Sequence, residues 1–256
     1  MKKLFKFFLN SIPRPLLIKF SYAFAPMISL FYRGNKFTDP IDGRSYRKFL
    51  PYGYGTQREN ALSPGTLSLE RHRLMWLYLK RDTDFFTTPL HVLSIAPEQC
   101  FLKRFKNLKN LKYVTADLYS PIVDVKADIL DLPFQDNEFD VVFCNHVLEH
   151  IEDDARAMSE LYRVMKPGGW GIFQVPMKYS YEKTYEDFSI TGKEERKKHF
   201  GQYDHVRWYG LDYFTRLEKA GFRVEQVKYY EILSGEELER YALSKNEILP
   251  VVRKPT

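Results

Sequence analysis

Cysteine is scarce in this 256-residue chain, which has only Cys100 and Cys144. Two cysteines exclude a multi-disulfide framework and fit a reducing, cytoplasmic setting. Long apolar runs are missing as well. In the first 36 residues the longest uncharged run is Phe20 to Tyr32, 13 residues with Pro26 inside it. A spanning helix needs about 20 apolar residues, so no transmembrane segment is expected there. Ala23-Phe24-Ala25 has the form of a signal-cleavage site, but Pro26 follows it directly and charges interrupt the apolar region, so no cleaved signal is expected. Basic charge is absent from the bulk of the chain: residues 1–48 hold ten Lys/Arg against two Asp, and the remainder 29 against 31 acids. The net charge of +6 is therefore an N-terminal property, and no nucleic-acid partner is expected.

The composition that remains, 44% hydrophobic, 16% aromatic and 28% charged, is that of a folded soluble domain. Three segments are expected. Residues 1–36 form a basic, aromatic-rich leader, residues 37–66 a loop-rich segment, and residues 67–256 the main domain. Two readings of the leader stand: an interfacial segment on an anionic membrane surface, peripheral at its inner face, or an apolar arm packed on the main domain.

In residues 37–66, Asp39-Pro40-Ile41-Asp42 and Ser63-Pro64-Gly65-Thr66 are separated by 20 residues, which is zinc-ribbon spacing. The segment resembles the Cys-Pro-x-Cys pairs that precede some bacterial methyltransferase domains. Here Asp39, Asp42, Ser63 and Thr66 replace all four ligands, so no tightly bound metal is expected. Two proline-containing turns explain the same residues.

From residue 65 a helix is predicted, with Leu67, Leu74 and Tyr78 on one stripe and Arg71 among them, either reaching a ligand or snorkelling at the rim. Strands are predicted at 90–96, 111–116, 122–127, 139–144 and 171–175. Helices are predicted at 98–106, after Ile151 up to Lys166-Pro167-Gly168-Gly169, and at 211–220. Late strands at 223–229 and 247–253 flank a short helix at 236–242. Alternating strands and helices imply an α/β fold whose ligands sit beyond the carboxyl ends of the strands, where strand order reverses.

Four blocks then carry a resemblance. They are Ala127-Asp128-Ile129-Leu130-Asp131-Leu132-Pro133-Phe134, Asn137 to Val142, Asn145-His146-Val147-Leu148-Glu149-His150-Ile151, and Glu160 to Gly169. In this order and spacing the chain resembles the small-molecule class I S-adenosylmethionine-dependent methyltransferases of the type 11 kind. The resemblance implies a Rossmann-like, seven-stranded, mostly parallel sheet with helices on both faces and an antiparallel C-terminal edge strand. It implies S-adenosyl-L-methionine as cofactor. Asp117 would accept from the ribose hydroxyls and Asp128 from the adenine amino group, with Ile129 beside the ring. Asn145 stands at the mouth of the fourth strand. The first loop, Ser94 to Glu98, departs from the family by lacking glycine; Ala96 is small enough for close approach, and Glu98 suits the cofactor's positive charge.

For the acceptor, His146 is either a general base or a packing residue. His205, Arg207 and Tyr209 alternate, so an extended segment aims them together; Arg207 is either a clamp for an acceptor carboxylate or phosphate or part of a surface loop. The expected function is methyl transfer to a small-molecule or lipid-linked acceptor, with no metal. Two other classes are weighed: a non-catalytic membrane adaptor on the same scaffold, and a zinc peptidase through His146-x-x-Glu149-His150.

Overall fold

In a computed structural model, residues 27–53 and 57–256 are described. The first 26 residues of the leader lie outside them. The described residues divide into two compact units, those up to residue 77 with 233–245, and residues 78–232 with 246–256.

In the first unit, β1 (Arg33–Thr38) and β2 (Ser45–Tyr46) form a hairpin, and β3 (Leu50–Tyr52) pairs antiparallel with β4 (Arg58–Leu62). Phe37, Tyr46 and Phe49 make a small aromatic core. Asp39, fully buried, accepts from the hydroxyls of Thr66 and Ser68 and from the Ile41 backbone N–H. Hydrogen bonds thus cross-link the two turns through a side chain that can only accept. The helix runs over Glu70–Arg81, later than predicted, because Leu67 takes a left-handed φ of 59° in the turn before it. The arginine that matters on this helix is Arg73 rather than Arg71. Its guanidinium is buried, donates to the carbonyls of Ala61, Ser68, Tyr241 and Ala242, and lies over the Phe49 ring. Those last two carbonyls follow a short helix, Gly235–Arg240, whose start is fixed by a Ser234–Glu237 capping box.

The second unit carries β5 (Leu90–Ile95), β6 (Leu111–Asp117), β7 (Val125–Lys126), β8 (Phe139–Cys144), β9 (Met165–Ile172), β10 (Tyr185–Glu186), β11 (Arg207–Trp208), β12 (Arg223–Val227) and β13 (Leu249–Arg253). Seven of these form one sheet in the order β12-β13-β9-β8-β5-β6-β7. The five strands from β9 to β7 are mutually parallel, and the β12–β13 hairpin closes one edge, with antiparallel β13 next to β9. This is the mixed, mostly parallel, Rossmann-like α/β sheet that the sequence implies. The helices Gln99–Lys106, Asp154–Val164 and Tyr213–Lys219 bury Phe101, Phe105, Ala157, Met158, Leu161, Phe214 and Leu217.

Three elements differ from expectation. The predicted strand at 122–127 shrinks to two residues, since Ile122 is exposed and Asp124 turns back to bond Thr115. Lys166-Pro167-Gly168-Gly169 does not end the helix Asp154–Val164 but lies within β9, where the register slips between Phe139 and Val141. That bulge absorbs the proline and glycines without breaking the pairing at Val142 and Phe143. The strand predicted at 223–229 ends at Val227 and gives way to a helical turn at Tyr229–Ile232.

The Glu160–Arg163 pair of the fourth sequence block fastens the first. Arg163 donates to the carbonyls of Leu132 and Phe134 and to Asp136, and Glu160 accepts from the Leu132 N–H.

Candidate active site

Strand order reverses between β5 and β8, which are neighbours although β6 and β7 intervene in the chain. Ile95 and Cys144 stand side by side as their last residues. The residues just beyond both strand ends are forced into left-handed backbone: Ala96 has φ 45° and His146 φ 55°. A non-glycine residue there costs about 1–2 kcal/mol and is held only where its surroundings over-determine it. Ala96 is held by its N–H to the Ala116 carbonyl at 2.8 Å, and His146 by its N–H to the Gln174 carbonyl at 2.7 Å. The loop without glycine thus takes the conformation that glycine would supply.

Several of the expected residues lie just beyond the carboxyl ends of these parallel strands. Asp117, at the end of β6, accepts from Tyr119 N–H and Ser120 N–H, both on Oδ1. Asp128, past β7, accepts from the Leu130 N–H and is exposed. Ile129 beside it is buried in the main core. Asn145 accepts from the Gln174 N–H at 3.0 Å and donates to Glu98 Oε2 at 3.4 Å, so β5, β8 and β9 meet through one side chain. Ser94 is buried, its hydroxyl engaged with Tyr113.

His146 is partly exposed, with Nδ1 3.2 Å from the buried Glu149 carboxylate. Burial pushes the Glu149 carboxyl up, but the His146 and His150 rings outweigh it and hold the group below its ordinary value. His205 is buried edge-to-face against His150, with ring centroids 4.7 Å apart, and burial holds its imidazole below the usual histidine range.

Arg207 corrects an expectation. It is neither in a surface loop nor offered to an acceptor, being 1% exposed. It donates to Glu186 and to the carbonyls of Ile151 and Glu152, and it pairs with Asp154 at 2.9 Å. Arg216 bonds the same two acids, and Tyr209 donates to Asp154 at 2.7 Å. Arg207 therefore fixes the loop that follows His150. The peptidase pattern also fails on geometry. Leu148–His150 is one 3-10 turn and His146 lies outside it in left-handed backbone, so the two histidines do not sit one turn apart on an α-helix.

Sequence reasoning missed Gln174, whose amide is buried with neither polar atom bonded. It also missed the Asp154–Glu186–Arg216 network. Nothing in spacing brings residues 154, 186 and 216 together; the β10–β11 pairing of Glu186 with Arg207 does.

The residues present fit the cofactor implied by the sequence: acceptor-only carboxylates at Asp117 and Asp128, a carboxylate at Glu98, and left-handed backbone at Ala96 in a loop without glycine. Residues 83–173 match the family model described as a methyltransferase domain. The chain is 48% identical over 50 residues to the 2-phytyl-1,4-beta-naphthoquinone methyltransferase of Arabidopsis thaliana, 20% of this chain and 19% of that one. It is 28% identical over 124 residues to the ubiquinone/menaquinone biosynthesis C-methyltransferase UbiE of Haemophilus ducreyi, 43% and 47% of the two chains. The first relatives it matches are spanned over only about a fifth to two fifths of their length. Among solved structures, the [4+2]-cyclase SpnF superposes with TM-score 0.53 at 17% identity over 85% of this chain and 92% of its own, a likeness of fold.

Proposed function

With a methyltransferase domain in residues 83–173 as premise, we propose that the protein transfers a methyl group from S-adenosyl-L-methionine to a small-molecule or lipid-linked acceptor. The observation that supports this reading is the strand reversal between β5 and β8, with Ala96 and His146 in left-handed backbone just past the two strand ends and Asp117 at the end of neighbouring β6. The bound cofactor supplies an electrophilic methyl on a sulfonium. Asp117 would hold the ribose hydroxyls, Asp128 the adenine amino group, and Glu98, braced by Asn145, the positive charge of the methionine end. Methyl transfer needs alignment and exclusion of water more than acid–base work. For a hydroxyl acceptor, His146 takes the proton, its ring oriented by Glu149.

A quinone-like or sterol-like acceptor is supported by the printed names of the relatives, two quinone-pathway methyltransferases and a sterol 24-C-methyltransferase. The fold alone is shared with a cyclase, so chemistry rests on the site. No helix among the described residues is long and apolar enough to cross a membrane. Access to a lipid-linked acceptor would then come through the basic leader, resting on the inner membrane face. Incubation with methyl-labelled cofactor and a native lipid and metabolite extract tests the proposal. Label appears in one extractable product with the wild-type chain and not with Asp117→Ala; label in none contradicts the assignment.

A further inference from the structure

Next to His146 lies a group of side chains of which methyl transfer as outlined uses only Glu149, to orient the His146 ring. The Glu149 carboxylate is 1% exposed, and neither of its oxygens is in line with a hydrogen-bond donor, although His146 Nδ1 stands 3.2 Å from one of them. A buried carboxylate is costly unless positive charge offsets it, and here the His146 and His150 rings are the groups that do so. Facing it are His150 and His205, and one ligand atom from each of the three residues falls within 4.8 Å of the others.

The tautomers follow from the neighbours. His150 Nδ1 lies 3.1 Å from the Asp204 carbonyl oxygen. A carbonyl only accepts, so Nδ1 carries the proton and Nε2 keeps its lone pair. His205 Nδ1 is buried with no partner, while its ring makes a hydrogen bond to the Phe200 backbone through the other nitrogen. Nδ1 of His205 is thus the free lone pair. Each imidazole is held from behind by a backbone group, the arrangement that orients metal-ligating histidines. The two segments are also fixed to each other: Val206 N–H bonds the Glu149 carbonyl, and Arg207 bonds the carbonyls of Ile151 and Glu152.

We infer that Glu149, His150 and His205 bind one divalent transition-metal ion of the zinc class. Two neutral imidazoles and one carboxylate suit zinc, cobalt, iron or manganese rather than calcium or magnesium. Ligand bonds of about 2.1 Å require the three side chains to close by roughly an ångström. Three protein ligands leave a position for solvent or for an oxygen of a bound acceptor, as in open rather than purely structural zinc sites. The site differs from the peptidase pattern in using His205 instead of His146, and it stands whether or not the methyl-transfer reading does.

The test uses the full-length chain without a histidine tag, stripped with a chelator and titrated with cobalt(II) chloride while visible d–d absorption is followed. One saturable equivalent per chain is expected, with bands of nitrogen and oxygen ligation, displaced by zinc sulfate. His150→Ala and His205→Asn each weaken cobalt binding at least tenfold, with circular dichroism of the metal-free proteins unchanged. Should His205→Asn fail to fold, His150→Ala carries the test alone, because the His150 side chain is already 32% exposed. A wild-type chain with no saturable band, or a folded His150→Ala that binds cobalt undiminished, overturns the assignment. Neither readout requires cofactor, acceptor or turnover.

Discussion

At the scale of residues, the sequence motif and its physical work separate cleanly. Glu160 and Arg163 are motif residues whose role is to hold the Leu132–Asp136 loop. The Arg163 hydrogen bonds hold the Glu160 carboxyl below its ordinary value. A carboxylate whose folded value is depressed adds stability above its unfolded value of about 4.3, and that stability is lost as pH falls through the folded value. Glu160→Gln should therefore lower the thermal midpoint at pH 7, and the gap to wild type should close as pH falls below about 4. A gap that stays constant with pH contradicts this. Arg207 shows why site reasoning from spacing has limits. Its alternation with His205 and Tyr209 predicts a shared direction toward an acceptor, but all three side chains are buried, and Arg207 meets Asp154 and Glu186 from distant parts of the chain. Arg207→Met leaves both acids short of a partner and should cost about 3 kcal/mol, measured by urea denaturation. A loss confined to acceptor affinity, with stability intact, would restore the clamp.

At the scale of elements, strands with continuous apolar runs were legible because burial on both faces demands them. Leu90–Ile95 and Phe139–Cys144 fall where the pattern puts them. Elements set by tertiary context were not. The Lys166–Gly169 stretch reads as a helix stop by composition, yet sheet pairing carries it into β9 as a bulge. Likewise, the Asp39 and Thr66 positions read as a pair of turns or a lost metal site, and only the fold reveals the hydrogen bonds joining them. Asp39→Ala strands the Thr66 and Ser68 hydroxyls in a buried setting, at a cost of about 2–3 kcal/mol. A drop in thermal midpoint without change in the far-ultraviolet spectrum of the folded state is the expected result; an unchanged midpoint shows the cross-link to be idle.

At the scale of the whole molecule, the concentration of basic charge in residues 1–48 is the feature that points beyond the catalytic fold. Flotation with anionic liposomes, comparing the full chain with one lacking residues 1–36, should carry only the full chain upward, and less so at high salt. Equal flotation of both removes the membrane role. The central claim is cofactor binding by a crevice that lacks glycine. Ala96 and His146 were recognisable in sequence as loop residues, but their left-handed backbone was not. Isothermal titration of the full chain with S-adenosyl-L-methionine tests this most directly. The account predicts one site per chain with affinity in the micromolar range, about −8 kcal/mol, weakened at least tenfold by Asp117→Ala; no heat of binding at millimolar cofactor to folded wild-type protein would contradict it.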